Sequence, residues 1–171
     1  LANRLGGTFL YLPLSYTPQV IRRNLQTLCT ALDVTYDPAE DEARAQQALR
    51  HAKALLGDTE IAIDYTATPA PMSLARCLIE HGLRVSRIYA DSIAVGDLDD
   101  FRWLQEHAPD LSLYATVEVK LRVLPRRTER PMLAIGQKAA YFTGTRHFVN
   151  IVEGGGMYGF DGICRLCARI E

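Results

Sequence analysis

The sequence predicts an α/β domain with a doubly wound, mostly parallel sheet and helices on both faces. Two observations lead there. From Glu60 onward, short apolar runs of strand character alternate with segments of helical period, a pattern that folds as a sheet covered by its own crossover helices. The chain has 171 residues, 48% of them hydrophobic and 23% charged, enough for one domain with a full core. Such a sheet is Rossmann-like.

The elements follow in order. Residues 8–13 (TFLYLP) read as a short apolar strand. Thr17 then stands as N-cap with Pro18 at the first helical position, where a missing N–H costs nothing. Ile21, Leu25, Leu28 and Leu32 recur at helical spacing and predict one buried face. A second helix is predicted over 39–56. It has Glu40, Asp41 and Glu42 in its first turn, Arg50, His51 and Lys53 towards its end, and Gly57 as its stop.

Within the alternating part, strands are expected at 61–65, 84–89, 111–117, 132–135 and 147–152. Helices are expected at 71–81, after a cap at Asp97, near 138–142, and from about Tyr158. Residues 119–123 alternate apolar and charged side chains and predict an edge strand or ribbon. Residues 1–58 are read as a strand and two helices linking from a preceding domain, and 59–171 as the Rossmann-like domain itself. The chain starts at Leu1 in an apparent helix end (1–6) and stops at Glu171 in an apparent helix. Both ends are therefore expected to be cut from a longer protein.

Bulk properties narrow the function. A formal charge of −1 and a pI near 6.5 give no basic domain for general nucleic-acid binding. No run approaches the roughly 20 apolar residues of a membrane span. Nothing at the start reads as a signal peptide. Cys29, Cys77, Cys164 and Cys167 do not form a secreted disulfide framework, so reduced thiols and a cytoplasmic location are expected.

The turn after the strand at 61–65 (TATPAP, 66–71) has two prolines and no glycine, and no phosphate-cradling GxxxxGK[ST] occurs. The nucleotide fingerprint is missing. Gly154, Gly155 and Gly156 lie between a strand and a helix, where the main chain can approach a bulky group and aim N–H donors at an anion. They read equally as a tight turn without a ligand. Lys138 follows another strand end and faces either the same crevice or solvent. Cys164-x-x-Cys167 lies within a helix and lacks a second ligand pair, so these are ordinary helix positions. Lys120, Arg122, Arg126, Arg127 and Arg130 form a basic run, either a solvated edge or a dock for an acidic partner. His147, alone in a β-type run, reads as structural or surface, and no catalytic residue is assigned.

The stretch from LAIGQK (133–138) through HFVN (147–150) to GGGMYGFDG (154–162) resembles the C-terminal region of nitrogenase component 1 proteins. That family includes molybdenum-iron protein subunits, cofactor-assembly scaffolds and dark-operative protochlorophyllide reductase. Tyr158, Gly159, Phe160, Asp161 and Gly162 look like its Y/H-G-[YF]-D-G signature, and the order of the N-terminal elements is similar too. The resemblance implies a parent that pairs with a sister subunit and takes electrons from an ATP-dependent iron–sulfur reductase. It further implies an iron–sulfur or related cluster ligated outside this chain, with none held by the chain itself. Lys138 and the three glycines would border the cavity. Where the molybdenum-iron protein carries a ligating histidine, this chain has Val149-Asn150-Ile151-Val152. A nitrogenase-like enzyme with another substrate, or a non-enzymatic scaffold, fits that departure; a metal-free small-ligand domain is the third reading.

Overall fold

A computed structural model describes residues 4, 6, 9–124 and 130–170. Arg126 and Arg127 of the basic run, and most of the expected helix end at 1–6, lie outside those residues.

Five strands form one parallel sheet: β1 (Glu60–Asp64), β2 (Arg84–Tyr89), β3 (Ser112–Tyr114), β4 (Met132–Ile135) and β5 (Phe148–Val149). Their spatial order is β3-β2-β1-β4-β5. The chain thus winds outward from β1 in one direction, then returns through β4 to wind in the other. Among the described residues, six α-helices accompany them: α1 (Pro18–Leu32), α2 (Ala39–Leu56), α3 (Pro71–Glu80), α4 (Leu98–His107), α5 (Gln137–Thr143) and α6 (Gly159–Ala168). The doubly wound α/β fold expected from the sequence is the fold observed.

The pleat divides the sheet's side chains by size. Ile61, Ile63, Leu133 and Ile135 point to one face, where they share a core with residues of α2, α3 and α6. Ala62 and Ala134 point to the other, against Ala139 of α5. Small side chains there let the short α5 lie close, while each large one buried opposite contributes about 1.5–3 kcal/mol. Ala45, Leu49 and Ala52 of α2 are buried in the larger core, and α2 packs along α6.

Several local expectations are corrected. Residues 9–13 join no strand, and Phe9 and Tyr11 are 77% and 73% exposed; no described strand offers them a ladder to join. The apolar stripe of α1 is buried at Ile21 only, because α6 meets only part of it; Leu28 and Leu32 stay exposed. Residues 119–123 form a 3₁₀ turn, Val119–Arg122, rather than a strand. Glu118 caps it by accepting the Lys120 N–H at 3.0 Å, and Leu121 alone anchors it in the core. The two edge strands are shorter than read, since each has one neighbour to sustain its ladder. α6 ends at Ala168, where Arg169 and Ile170 close the turn on Leu166 and Cys167, so the described chain does not stop inside a helix.

Candidate functional site

In a doubly wound sheet, ligands bind beyond the carboxyl ends of the strands where the winding reverses. Here that point lies between β1 and β4. The residue closing β1 is Asp64, fully buried. Its carboxylate accepts N–H bonds from Thr66 at 2.7 Å and Ala67 at 3.1 Å, and the Thr66 hydroxyl also donates to it. Across the switch point it accepts the Ala139 N–H of α5 at 2.6 Å. The end of α5 that would attract an anion is therefore filled by the protein's own carboxylate. Gly136, at φ +105°, is what lets the carboxylate in: a β-carbon there would stand 2.3 Å from Asp64 Oδ2. This occupancy agrees with the missing nucleotide fingerprint.

Just past the strand ends runs a second, polar row. The Lys138 ammonium lies 4.1 Å from the centroid of the Tyr65 ring and hydrogen-bonds the Tyr65 hydroxyl. Asp91 borders the same cavity as Tyr65, and the Thr116 hydroxyl donates to its carboxylate. Asp91 is exposed, yet its carboxyl is held below the usual range. The Thr116 bond is the largest cause, with the nearby Tyr65 hydroxyl and the Lys138 charge acting in the same direction. In sheet order the row reads Thr116 after β3, Asp91 after β2, Tyr65 after β1 and Lys138 after β4.

Below this row a cavity of about 170 Å³ is bounded by Tyr65, Pro69, Pro71, Asp91 and Asp97. Asp97, expected to cap α4, gives that helix no side-chain bond. Its two oxygens instead accept the Met72 and Ser73 N–H groups at 2.9 Å each, so it caps α3 from the next helix along. Burial pushes its carboxyl up to about 6, against the pull of those two bonds.

The glycine-rich turn reaches the same place from β5. Glu153 N–H donates to the Thr66 carbonyl at 2.7 Å, and Gly154 N–H to the Ala67 carbonyl at 2.6 Å. Lys138 and the glycines thus meet successive residues of one loop: Lys138 touches Tyr65, and the turn is tied to Thr66 and Ala67. Gly155 N–H donates to the Val152 carbonyl at 3.0 Å, so two of the three glycine N–H groups are spent inside the chain. Within the signature, the Tyr158 hydroxyl donates to the Glu153 carbonyl at 2.7 Å, while Gly159 opens α6 at φ +67°. Phe160 is buried in the core and Asp161 pairs with Arg165 at 2.7 Å. Gly162 lies against the Met157 backbone.

Cys167 is buried in the core and Cys164 packs at its margin. His147 is exposed and its N–H donates to the Thr145 hydroxyl. Arg130 pairs with Glu60 at 3.6 Å. Among the described residues, no three His, Cys, Asp or Glu side chains stand together as a metal-holding group. No helix among them is long and apolar enough to cross a membrane.

Sequence reasoning missed Asp64, Tyr65, Asp91 and Thr116, and gave Asp97 only as a cap for α4. A signal for the first four was present: each of Asp64, Tyr65, Asp91 and Thr116 lies at, or one or two residues beyond, a strand's carboxyl end.

No protein-family model and no curated protein matches this chain. A solved structure described as "Nitrogenase Cp1 at pH 6.5" superimposes on 96% of the chain with a TM-score of 0.60 at 14% sequence identity. The fold is nitrogenase-like. The chain spans 39% of the length of that structure's chain.

Proposed function

We propose that this domain is the C-terminal domain of a nitrogenase-like, component 1-type oxidoreductase subunit in the cytoplasm. In this reading the carboxyl edge of the sheet walls a substrate cavity used for ATP-dependent multi-electron reduction. The observation that carries the reading is the agreement with the nitrogenase Cp1 structure over 96% of the chain. The reading is supported by Lys138 and the glycine-rich turn meeting successive residues of the loop after β1, with Tyr158 bonded to Glu153 beside them.

The described residues offer no metal-holding group, and the α6 cysteines face the core and its margin. In this reading the cluster is ligated by other parts of the parent protein, and this domain's share is shape, exclusion of water and electrostatics. The partners in this reading are a sister component 1-type subunit and an ATP-dependent iron–sulfur reductase.

The test is iron and acid-labile sulfide in the full-length protein, purified without oxygen, beside the 171-residue chain. Cluster in the former and none in the latter is the expected result. No iron in a folded full-length protein would replace this reading with a metal-free ligand-binding domain. The stretch 149–152 has no histidine, and Val149 and Ile151 are buried, which fits a nitrogenase-like enzyme with another substrate and also a second reading, a scaffold for cofactor assembly. A scaffold would transfer its cluster without ATP-dependent turnover.

A further inference from the structure

Lysine is a flexible cation on a four-carbon stem, so an ammonium held in one place needs partners that fix it. Lys138 has such partners, and none was visible in its own neighbourhood of sequence. Tyr65 is 73 residues away, and it meets the ammonium with both its ring face and its hydroxyl. Asp91 stands at the same edge, bordering one cavity with Tyr65. Asp91 is in turn fixed by Thr116. The four side chains come from the ends of four adjacent strands, so the rigid sheet sets their spacing.

We infer that Tyr65 and Asp91 are positioning residues that hold the Lys138 ammonium at the carboxyl edge of the sheet, with Thr116 locking Asp91. Asp91 supplies a countercharge at the same edge, the Tyr65 hydroxyl accepts from the ammonium, and the ring face keeps the stem from swinging into solvent. What the held ammonium does in a substrate cavity rests on the function proposed above; the holding itself does not.

Amine labelling separates the two. The protein has three lysines, Lys53, Lys120 and Lys138, and Lys120 is exposed. With trace acetic anhydride between pH 7 and 10, read by peptide mass spectrometry, each lysine's rate reports its free-amine fraction and its access. Lys138 is expected to label about tenfold more slowly than Lys120, since its charge-assisted bonds must break first. Tyr65→Phe and Asp91→Asn should bring the two rates to within about twofold, with unchanged circular dichroism, while Asp91→Glu retains the protection. Labelling of wild-type Lys138 at the Lys120 rate would overturn the inference, as would a Tyr65→Phe variant that protects Lys138 as wild type does. Neither result touches the iron measurement, so the two proposals fail separately.

Discussion

Asp64 and Gly136 face each other across the switch point so closely that a β-carbon on residue 136 would lie 2.3 Å from the carboxylate. Two costs therefore fall together on Gly136→Ala. A non-glycine residue at φ +105° is strained by about 1–3 kcal/mol. Displacing the carboxylate also strands the buried Ala139 N–H, at about 1–3 kcal/mol. The expected loss is about 3 kcal/mol in urea unfolding. Asp64→Ala should cost a similar amount alone, and the double variant less than the sum, because the clash and the stranded bond share one carboxylate. Strict additivity would show that the two residues do not meet.

Asp97 predicts a pH dependence of stability. Its carboxyl is raised by burial from 3.8 to about 6, so the fold tolerates the protonated form better. The stability it contributes is complete below pH 3.8, falls as pH rises through the folded value near 6, and is flat above. The span corresponds to about 3 kcal/mol. Asp97→Asn keeps an acceptor for α3 and does not titrate. Urea unfolding at pH 4 and pH 7 should show wild type losing about 2 kcal/mol relative to the Asp97→Asn variant as the pH rises. A constant difference would show that Asp97 does not titrate in this range.

Much of the fold was legible, and the losses have one cause. Central strands β2 and β4 and the helix α2 were readable to the residue, because apolar runs and Pro or Gly punctuation act locally. The stretches at 9–13 and 119–123 carry equally good strand patterns but have no ladder partner in the sheet. A partner is a fact of topology, which a local pattern does not contain. The same holds for the site. Lys138 and the three glycines were visible as strand-end features, whereas Tyr65, Asp91 and Thr116 become neighbours only once the order β3-β2-β1-β4 is known. Asp97 was placed at the right helix boundary and given the wrong helix to cap, since the N–H groups it serves are 24 and 25 residues earlier.

Gly162 sits inside α6, where alanine is normally favoured over glycine by about 1 kcal/mol. Here a β-carbon would stand 2.2 Å from the Met157 carbonyl carbon, and backbone cannot rotate away as a side chain can. Gly162→Ala is therefore expected to lower stability by at least about 2 kcal/mol despite the gain in helix propensity. The glycine in the signature is thereby explained as a packing requirement between α6 and the turn before it. Thermal unfolding that shows stabilisation would mean that the turn does not rest on α6.

Ser73 latches the N-terminal segment onto α3. Its hydroxyl accepts the Tyr16 N–H at 3.0 Å and bonds the Ser15 hydroxyl at 2.9 Å, all in a buried setting. Ser73→Ala leaves the Tyr16 N–H without an acceptor and should cost about 2 kcal/mol. Tyr16→Phe removes a different bond, from the Tyr16 hydroxyl to Thr68 at 3.0 Å. Thr68 keeps the Ala70 N–H at 3.3 Å, so that loss should be nearer 1 kcal/mol. The distinguishing readout is limited proteolysis of residues 9–12, which run exposed shortly before the latch. Cleavage there should accelerate in Ser73→Ala more than in Tyr16→Phe, because only the serine holds the main chain of the segment itself. The reverse order would place the anchor on the tyrosine ring and its hydroxyl instead.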